Sequence, residues 1–142
     1  MNRFALDTSV LLSWFAPLGP AEGEKSMRLR QEHMSQNIEL VVLDQTVYEL
    51  LHLFKESDQF DQSLIPQALT SLEYMHLSIL PFSYEVAQKT IQIAREHDIS
   101  TYAAGPVALG ALLRCQAVTC DGLLYRKIAS LPWTCLLANL NF

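Results

Sequence analysis

The chain has 142 residues and a mass of 16.0 kDa, long enough to bury most of the surface its unfolded form exposes and short enough to read as a single domain over residues 1–142. Half of the residues are hydrophobic and 18% are charged, which excludes a disordered or fibrous chain. A net charge of −5 and a pI near 5.2 exclude bulk attraction to nucleic acid, so any phosphate contact has to come from a local patch.

In chain order, Arg3 to Leu6 reads as a strand, followed by a short helix from Val10 to Phe15 that Pro17 and Gly19 bring to a stop. Glu22 to Ser35 reads as a second helix and Glu39 to Val42 as an apolar strand. Asp44 or Thr46 can cap the next helix, which carries Val47, Leu50, Leu51 and Phe54 at helical spacing with Glu49 beside the stripe. Asp61 to Met75 reads as a helix with Pro66 near its first turn, leading into a strand from Leu77 to Leu80 that Pro81 ends. Ser83 resembles an N-cap for a helix from Tyr84 to His97 with Val86, Ile91 and Ala94 on one face. Pro106 belongs in the first turn of a helix running to Arg114. The last elements are a strand from Ala117 to Thr119, a short helix from Leu123 to Ile128 and an edge strand from Thr134 to Leu137.

Strands alternating with helices make the fold class α/β, a mainly parallel sheet with helices on both faces. Asp7 ends the first apolar segment and Asp121 the last. Catalytic groups gather outside the carboxyl ends of parallel strands, so both acids can face one crevice.

With these elements in place, the chain resembles a PIN domain of the small VapC-like toxin type. The resemblance rests on Leu6-Asp7-Thr8-Ser9-Val10-Leu11-Leu12, on the segment Leu40 to Glu49, and on Val118-Thr119-Cys120-Asp121. It implies a three-layer α/β/α fold and a metal-dependent endoribonuclease. In that reading Asp7, Glu49 and Asp121 hold Mg²⁺ or Mn²⁺ and carry catalysis, while Ser9 and Thr119 orient Asp7 or bound water. Hard divalent ions prefer carboxylate oxygen, and phosphodiester cleavage needs positive charge against an anionic transition state. The resemblance further implies an RNA substrate, a small antitoxin entering the crevice, and a homodimer, for which helices carrying Phe54 and Tyr74 could supply surfaces.

One departure stands out. The family's further aspartate, in a stretch like Tyr-Asp-Ala, is replaced here by Ala103 in Tyr102-Ala103-Ala104, with Gly105-Pro106 following. Loss of one carboxylate weakens metal binding and implies reduced or absent turnover. Glu96 and Asp98 are acidic neighbours with no geometric reason to reach inward. A PIN fold that binds RNA or a protein without cleaving is therefore the alternative.

Taken singly, Asp7 and Asp121 read better as helix caps, and Ser9 and Thr119 equally well as capping or backbone-bonding hydroxyls. Glu49 and His52 spell Glu-x-x-His, but the second copy that a di-iron site needs is missing. His33, His76 and His97 lack ligand spacing and read as structural. Trp14, Phe15, Tyr48 and Phe54 read as packing anchors rather than base-stacking platforms. Arg114, Arg126 and Lys127 can border the crevice, with solvated charge the plainer reading; Arg28 and Arg30 read as facing water. A receiver-like phospho-acceptor using Asp7 or Asp121 ranks last, because the clustered acids and late lysine it needs are not evident. Cys115, Cys120 and Cys135 fit reduced, buried thiols. Asp7 interrupts the N-terminal apolar stretch and no run approaches ~18 apolar residues, so the chain reads as cytoplasmic with no membrane association.

Overall fold

The computed structural model describes residues 1–16, 19–58 and 60–142. Strands β1 (Asn2–Leu6), β2 (Ile38–Leu43), β3 (Ser78–Leu80), β4 (Gln116–Thr119) and β5 (Thr134–Leu136) form one sheet in the order β3-β2-β1-β4-β5. Every pairing is parallel, so the sheet expected to be mainly parallel is wholly so among the described residues. A receiver-like sheet runs 2-1-3-4-5, and the observed order rules that reading out.

The helices are α1 (Thr8–Leu12), α2 (Pro20–Met34), α3 (Asp44–Glu56), α4 (Ile65–Met75), α5 (Tyr84–His97), α6 (Thr101–Leu113) and α7 (Gly122–Ile128). Their layering follows from the two-residue alternation of strand side chains. Phe4, Leu6, Leu40, Val42 and Val118 point to one face and pack with Val10, Leu11, Leu29, Leu50, Phe54, Ala68 and Met75 from α1 to α4. Ala5, Val41, Leu43 and Ala117 point to the other face, where Leu109 of α6 and Val86 of α5 cover them. Ile93, Ala94, Val107, Ala108 and Ile128 then knit α5, α6 and α7 together. The result is the three-layer α/β/α arrangement.

Small residues bring α6 down onto the sheet. A Cβ built on Gly110 would lie 3.0 Å from the Ala117 Cβ, 3.0 Å from the Cys115 carbonyl and 3.1 Å from the Trp133 ring. The run Ala104 to Gly110 is buried all round, which removes the amphipathic stripe by which a surface helix is recognised.

Several expected boundaries shift for local reasons. α1 starts at Thr8 rather than Val10, because Asp7 caps it by accepting the Val10 N–H; the proposed stop at Pro17 lies outside the described residues. Pro20 opens α2 at its first position, two residues ahead of Glu22. Neither Asp44 nor Thr46 caps α3: Leu43 is the cap residue without a side-chain bond, and Asp44 is helical. The helix expected from Asp61 divides into a 3₁₀ turn, Gln62–Leu64, capped by Asp61, and α4. Pro66 has no N–H to continue the ladder back into that turn. Ile91 is 53% exposed, and α5 buries Thr90, Ile93 and Ala94 instead. Pro106 lies inside α6, not in its first turn, so the Tyr102 carbonyl loses the donor a helix would give it. Arg28 and Arg30 are engaged rather than free: Arg28 sits 4.6 Å over the Phe142 ring, and Arg30 donates to Ser71 Oγ at 2.9 Å. Among the described residues no helix is long and apolar enough to cross a membrane.

Two glycine substitutions separate packing from propensity. Gly23→Ala in α2 meets nothing within 4 Å and should stabilise by about 0.5–1 kcal/mol. Gly110→Ala carries the same helical gain but overpacks the sheet at a cost of about 1–3 kcal/mol, so urea denaturation should show a net loss.

Candidate active site

The sheet order sets the position of the site. From β1 the chain builds outward through β2 to β3, then returns to the other side of β1 for β4 and β5. α1, following β1, packs on one face, whereas α7, following β4, packs on the other. The gap between β1 and β4 is thus a topological switch point, where open α/β sheets bind ligands. Asp7 and Asp121 are the residues that leave it.

Register does the fine placement. Leu6 pairs with Val118, which sets Asp7 beside Thr119. The Asp7 carboxylate accepts the Ser9 hydroxyl at 2.6 Å and the Val10 N–H at 3.1 Å on Oδ1, and the Thr119 hydroxyl at 2.5 Å on Oδ2. Thr119 Oγ1 in turn accepts the Asp121 N–H at 3.0 Å, and Ser9 Oγ accepts the Cys120 N–H at 2.8 Å. Asp121 caps α7 by accepting the N–H groups of Leu123 and Leu124 at 3.0 and 3.1 Å on Oδ1. Glu49 arrives from α3 and accepts the Thr8 hydroxyl at 3.1 Å. One cavity of about 150 Å³ is lined by Asp7, Glu49 and Asp121, with Thr8, Ser9, Ser100, Tyr102, Ala103 and Leu124 completing its wall.

No lysine, arginine or histidine is among those lining residues. Asp7 is only 9% exposed, and burial pushes its carboxyl above the ordinary range; the nearby Asp121 charge adds to the rise, while Ser9, Thr119 and Val10 oppose it. Burial also raises Glu49 against the opposing Thr8 bond. Cys120 is half-buried beside this network and its thiol is pushed up to about 12, first by burial and then by Asp7, so it stays protonated.

Does this donor set suit a divalent ion? In kind it does: three hard carboxylates face one cavity with no cation to offset them. In closure it does not, because among the described residues no three acidic, histidine or cysteine side chains come close enough to hold an ion between them. Ala103 sits on that same wall and brings no carboxylate to the gap.

The structure brings together all five residues singled out from the sequence, Asp7, Glu49, Asp121, Ser9 and Thr119. It adds three. Thr8 orients Glu49; Ser100 caps α6 by accepting the Ala103 N–H at 3.0 Å; Tyr102 stands on the rim. Thr8 and Ser100 are hydroxyls at helix starts, a signal present in the sequence, but their partners depend on tertiary placement.

The remaining readings divide between those the structure matches and those it corrects. Glu96 is bonded to Gln92 on its own helix and Asp98 faces Lys127, so neither acid reaches the cavity. Arg114 lines a cavity with Asn2 and Arg3, at the amino ends of the strands and away from the acids. Neither Arg126 nor Lys127 lines the crevice, and Lys127 donates to the Asp98 carbonyl at 3.0 Å. Tyr48 is not a packing anchor but 72% exposed. Phe54 cannot supply an outer surface, since it is buried and stacked on Phe60 at 4.5 Å; Tyr74 is exposed. His33 is structural: its Nδ1 accepts the Leu40 N–H at 3.1 Å, leaving Nε2 to donate to the Met75 carbonyl at 2.8 Å.

The PIN domain model matches residues 4–129. Among solved structures, a toxin–antitoxin complex from Klebsiella pneumoniae is similar with a TM-score of 0.69 at 14% identity, over 96% of this chain and 98% of that one. FitAB bound to an IR36 DNA fragment gives 0.68 at 20% identity, over 99% and 98%. FitAcB from Neisseria gonorrhoeae gives 0.64 at 18% identity, over 97% and 99%. At these identities the likeness is one of fold. No curated protein matches the chain.

The raised Asp7 pKa makes a signed stability prediction. In the folded state Asp7 binds its proton more readily than in the unfolded chain, so its ionisation destabilises the fold above its folded-state pKa, and the effect vanishes below the ordinary 3.8. In metal-free buffer Asp7→Asn should therefore be more stable than wild type at pH 7, with the gap closing as pH falls toward 4. Chemical denaturation across that range checks it; a gap that does not change with pH would contradict it.

Proposed function

The chain belongs to the PIN domain family, and from that premise we propose that it is a divalent-ion-dependent endoribonuclease of the toxin type, with turnover limited by the missing carboxylate at Ala103. The observation that carries this reading is the single cavity shared by Asp7, Glu49 and Asp121 at the switch point. Those three residues would hold Mg²⁺ or Mn²⁺, whose charge, when bound, polarises water and offsets the anionic phosphodiester under attack.

The chain's own residues prepare that site. Ser9 and Thr119 fix both oxygens of Asp7, Thr8 fixes Glu49, and the first turn of α7 fixes Asp121, so little ordering is left for the moment an ion arrives. Ala103 leaves one wall without charge. That lowers ion affinity and also spares Asp7 a further like-charged neighbour.

The proposal extends to partners. A small antitoxin is supported by the likeness to a toxin–antitoxin complex, and a homodimer by exposed Phe82, Tyr84 and Ile91 on one side of the sheet. Co-expression with the product of a neighbouring gene, followed by size-exclusion chromatography, tests both.

A second reading, binding without cleavage, is favoured by one observation: no three ligand-type side chains converge on an ion position among the described residues.

Mn²⁺-dependent cleavage of a mixed RNA pool separates the two. The first reading expects slow cleavage that falls to background in Asp7→Asn and quickens at limiting Mn²⁺ in Ala103→Asp. Thr119→Val should raise the Mn²⁺ concentration needed by about 10–100-fold. Cleavage that survives Asp7→Asn would sink the assignment, and inactivity relieved only by Ala103→Asp would favour the second reading.

A further inference from the structure

We propose that the groove between α3 and α6, beside the acid cavity, is a stacking subsite for an unstacked base of a single-stranded polynucleotide. This deepens the nuclease reading, on which the choice of a polynucleotide as occupant rests. The groove is a cavity of about 520 Å³ lined by Gln45, Tyr48, Glu49, His52 and Tyr102. Glu49 and Tyr102 also line the acid cavity, so the two cavities adjoin.

Tyr48 is 72% and Tyr102 58% exposed. Among the described residues neither ring contacts another aromatic ring and neither hydroxyl has a bonding partner. Two large rings are thus left in water around one cavity, each with a π-face to offer.

The lining chemistry favours a base over an apolar peptide. No lysine or arginine lines either cavity, so phosphate neutralisation supplies no affinity here, whereas stacking needs no cation. Gln45 and His52 give hydrogen-bonding groups for a base edge. Gly105 maintains the arrangement. A Cβ there would lie 2.1 Å from Gln45 Nε2, so its absence lets Gln45 rest against α6.

The test uses the wild-type chain in low-salt EDTA buffer, where no metal-dependent cleavage intervenes. The probe is a uridine 12-mer carrying one 2-aminopurine, beside its deoxy counterpart and the same strand in a duplex. Stacking quenches 2-aminopurine, and anisotropy of an end label gives Kd. Wild type should bind the single strand with quenching. Tyr48→Ala and Tyr102→Ala should each raise Kd by about five- to a hundredfold and remove quenching. The Tyr→Phe versions should stay within about twofold, and Met27→Ala, at an exposed apolar residue on α2, should change nothing. Equal behaviour of the deoxy strand would support the subsite and assign its contacts to the base rather than the sugar; preference for the uridine strand would support it and add a sugar contact. The proposal is overturned by absent binding, by alanine versions that bind and quench like wild type, by phenylalanine versions as weak as alanine, or by equal duplex binding. Cleavage with tyrosine-independent binding would leave the nuclease reading and sink the subsite; tyrosine-dependent binding without cleavage would do the reverse.

Discussion

A carboxylate buried without a cation is the constraint around which this fold is organised. Asp7 follows the central strand, where β1 meets β4, and its bonds reach into two elements: the helix it caps, α1, through Ser9 and Val10, and the neighbouring strand β4 through Thr119. Such bonds satisfy the oxygens but do not restore the solvation that burial removes, so the Asp7 pKa remains raised. The surrounding core of Leu6, Val10, Leu11 and Val118 offsets that cost and holds the group in place. A site that stores unfavourable charge in this way trades stability for function.

The second constraint is the fit of α6 against the sheet. Gly110 permits close approach to Ala117, and Gly105 accommodates Gln45. Ala103, Gly105 and Pro106 fall on one helix with two surfaces, one forming a wall of the acid cavity and the other meeting α3. Ala103 and Tyr102 give that corner an uncharged wall and an exposed ring.

How much of this could be read from residues alone depended on where the deciding contact lay. Strand alternation and strand-end acids are local patterns, and they carried the fold class and the pairing of Asp7 with Asp121; Glu49 lies on a helix and joined them only through the resemblance to the PIN family. The cap and cavity readings of Asp7 and Asp121 were weighed as rivals, yet each residue does both, because a helix start at a strand end aims the capping side chain into the crevice. Pro106 was misplaced because the cap that starts α6, Ser100, lies six residues earlier and the helix from Ala104 to Gly110 is buried all round. Tyr48 was misread for a different reason. Helical spacing puts it near the Leu50 and Phe54 stripe, but which flank of that stripe faces water is decided by α6 and the sheet, not by α3.

The most direct test of the account is whether the uncompensated acids take up an ion, read as a change in melting temperature when Mn²⁺ is added to the metal-free protein. An ion that binds only the folded state stabilises it by an amount that grows with concentration over Kd. The account predicts that Mn²⁺ raises the melting temperature of wild type, raises it further in Ala103→Asp, and leaves Asp121→Asn nearly unmoved. A wild type indifferent to Mn²⁺, or an equal shift in all three proteins, would contradict the claim that these carboxylates form one cation-seeking site.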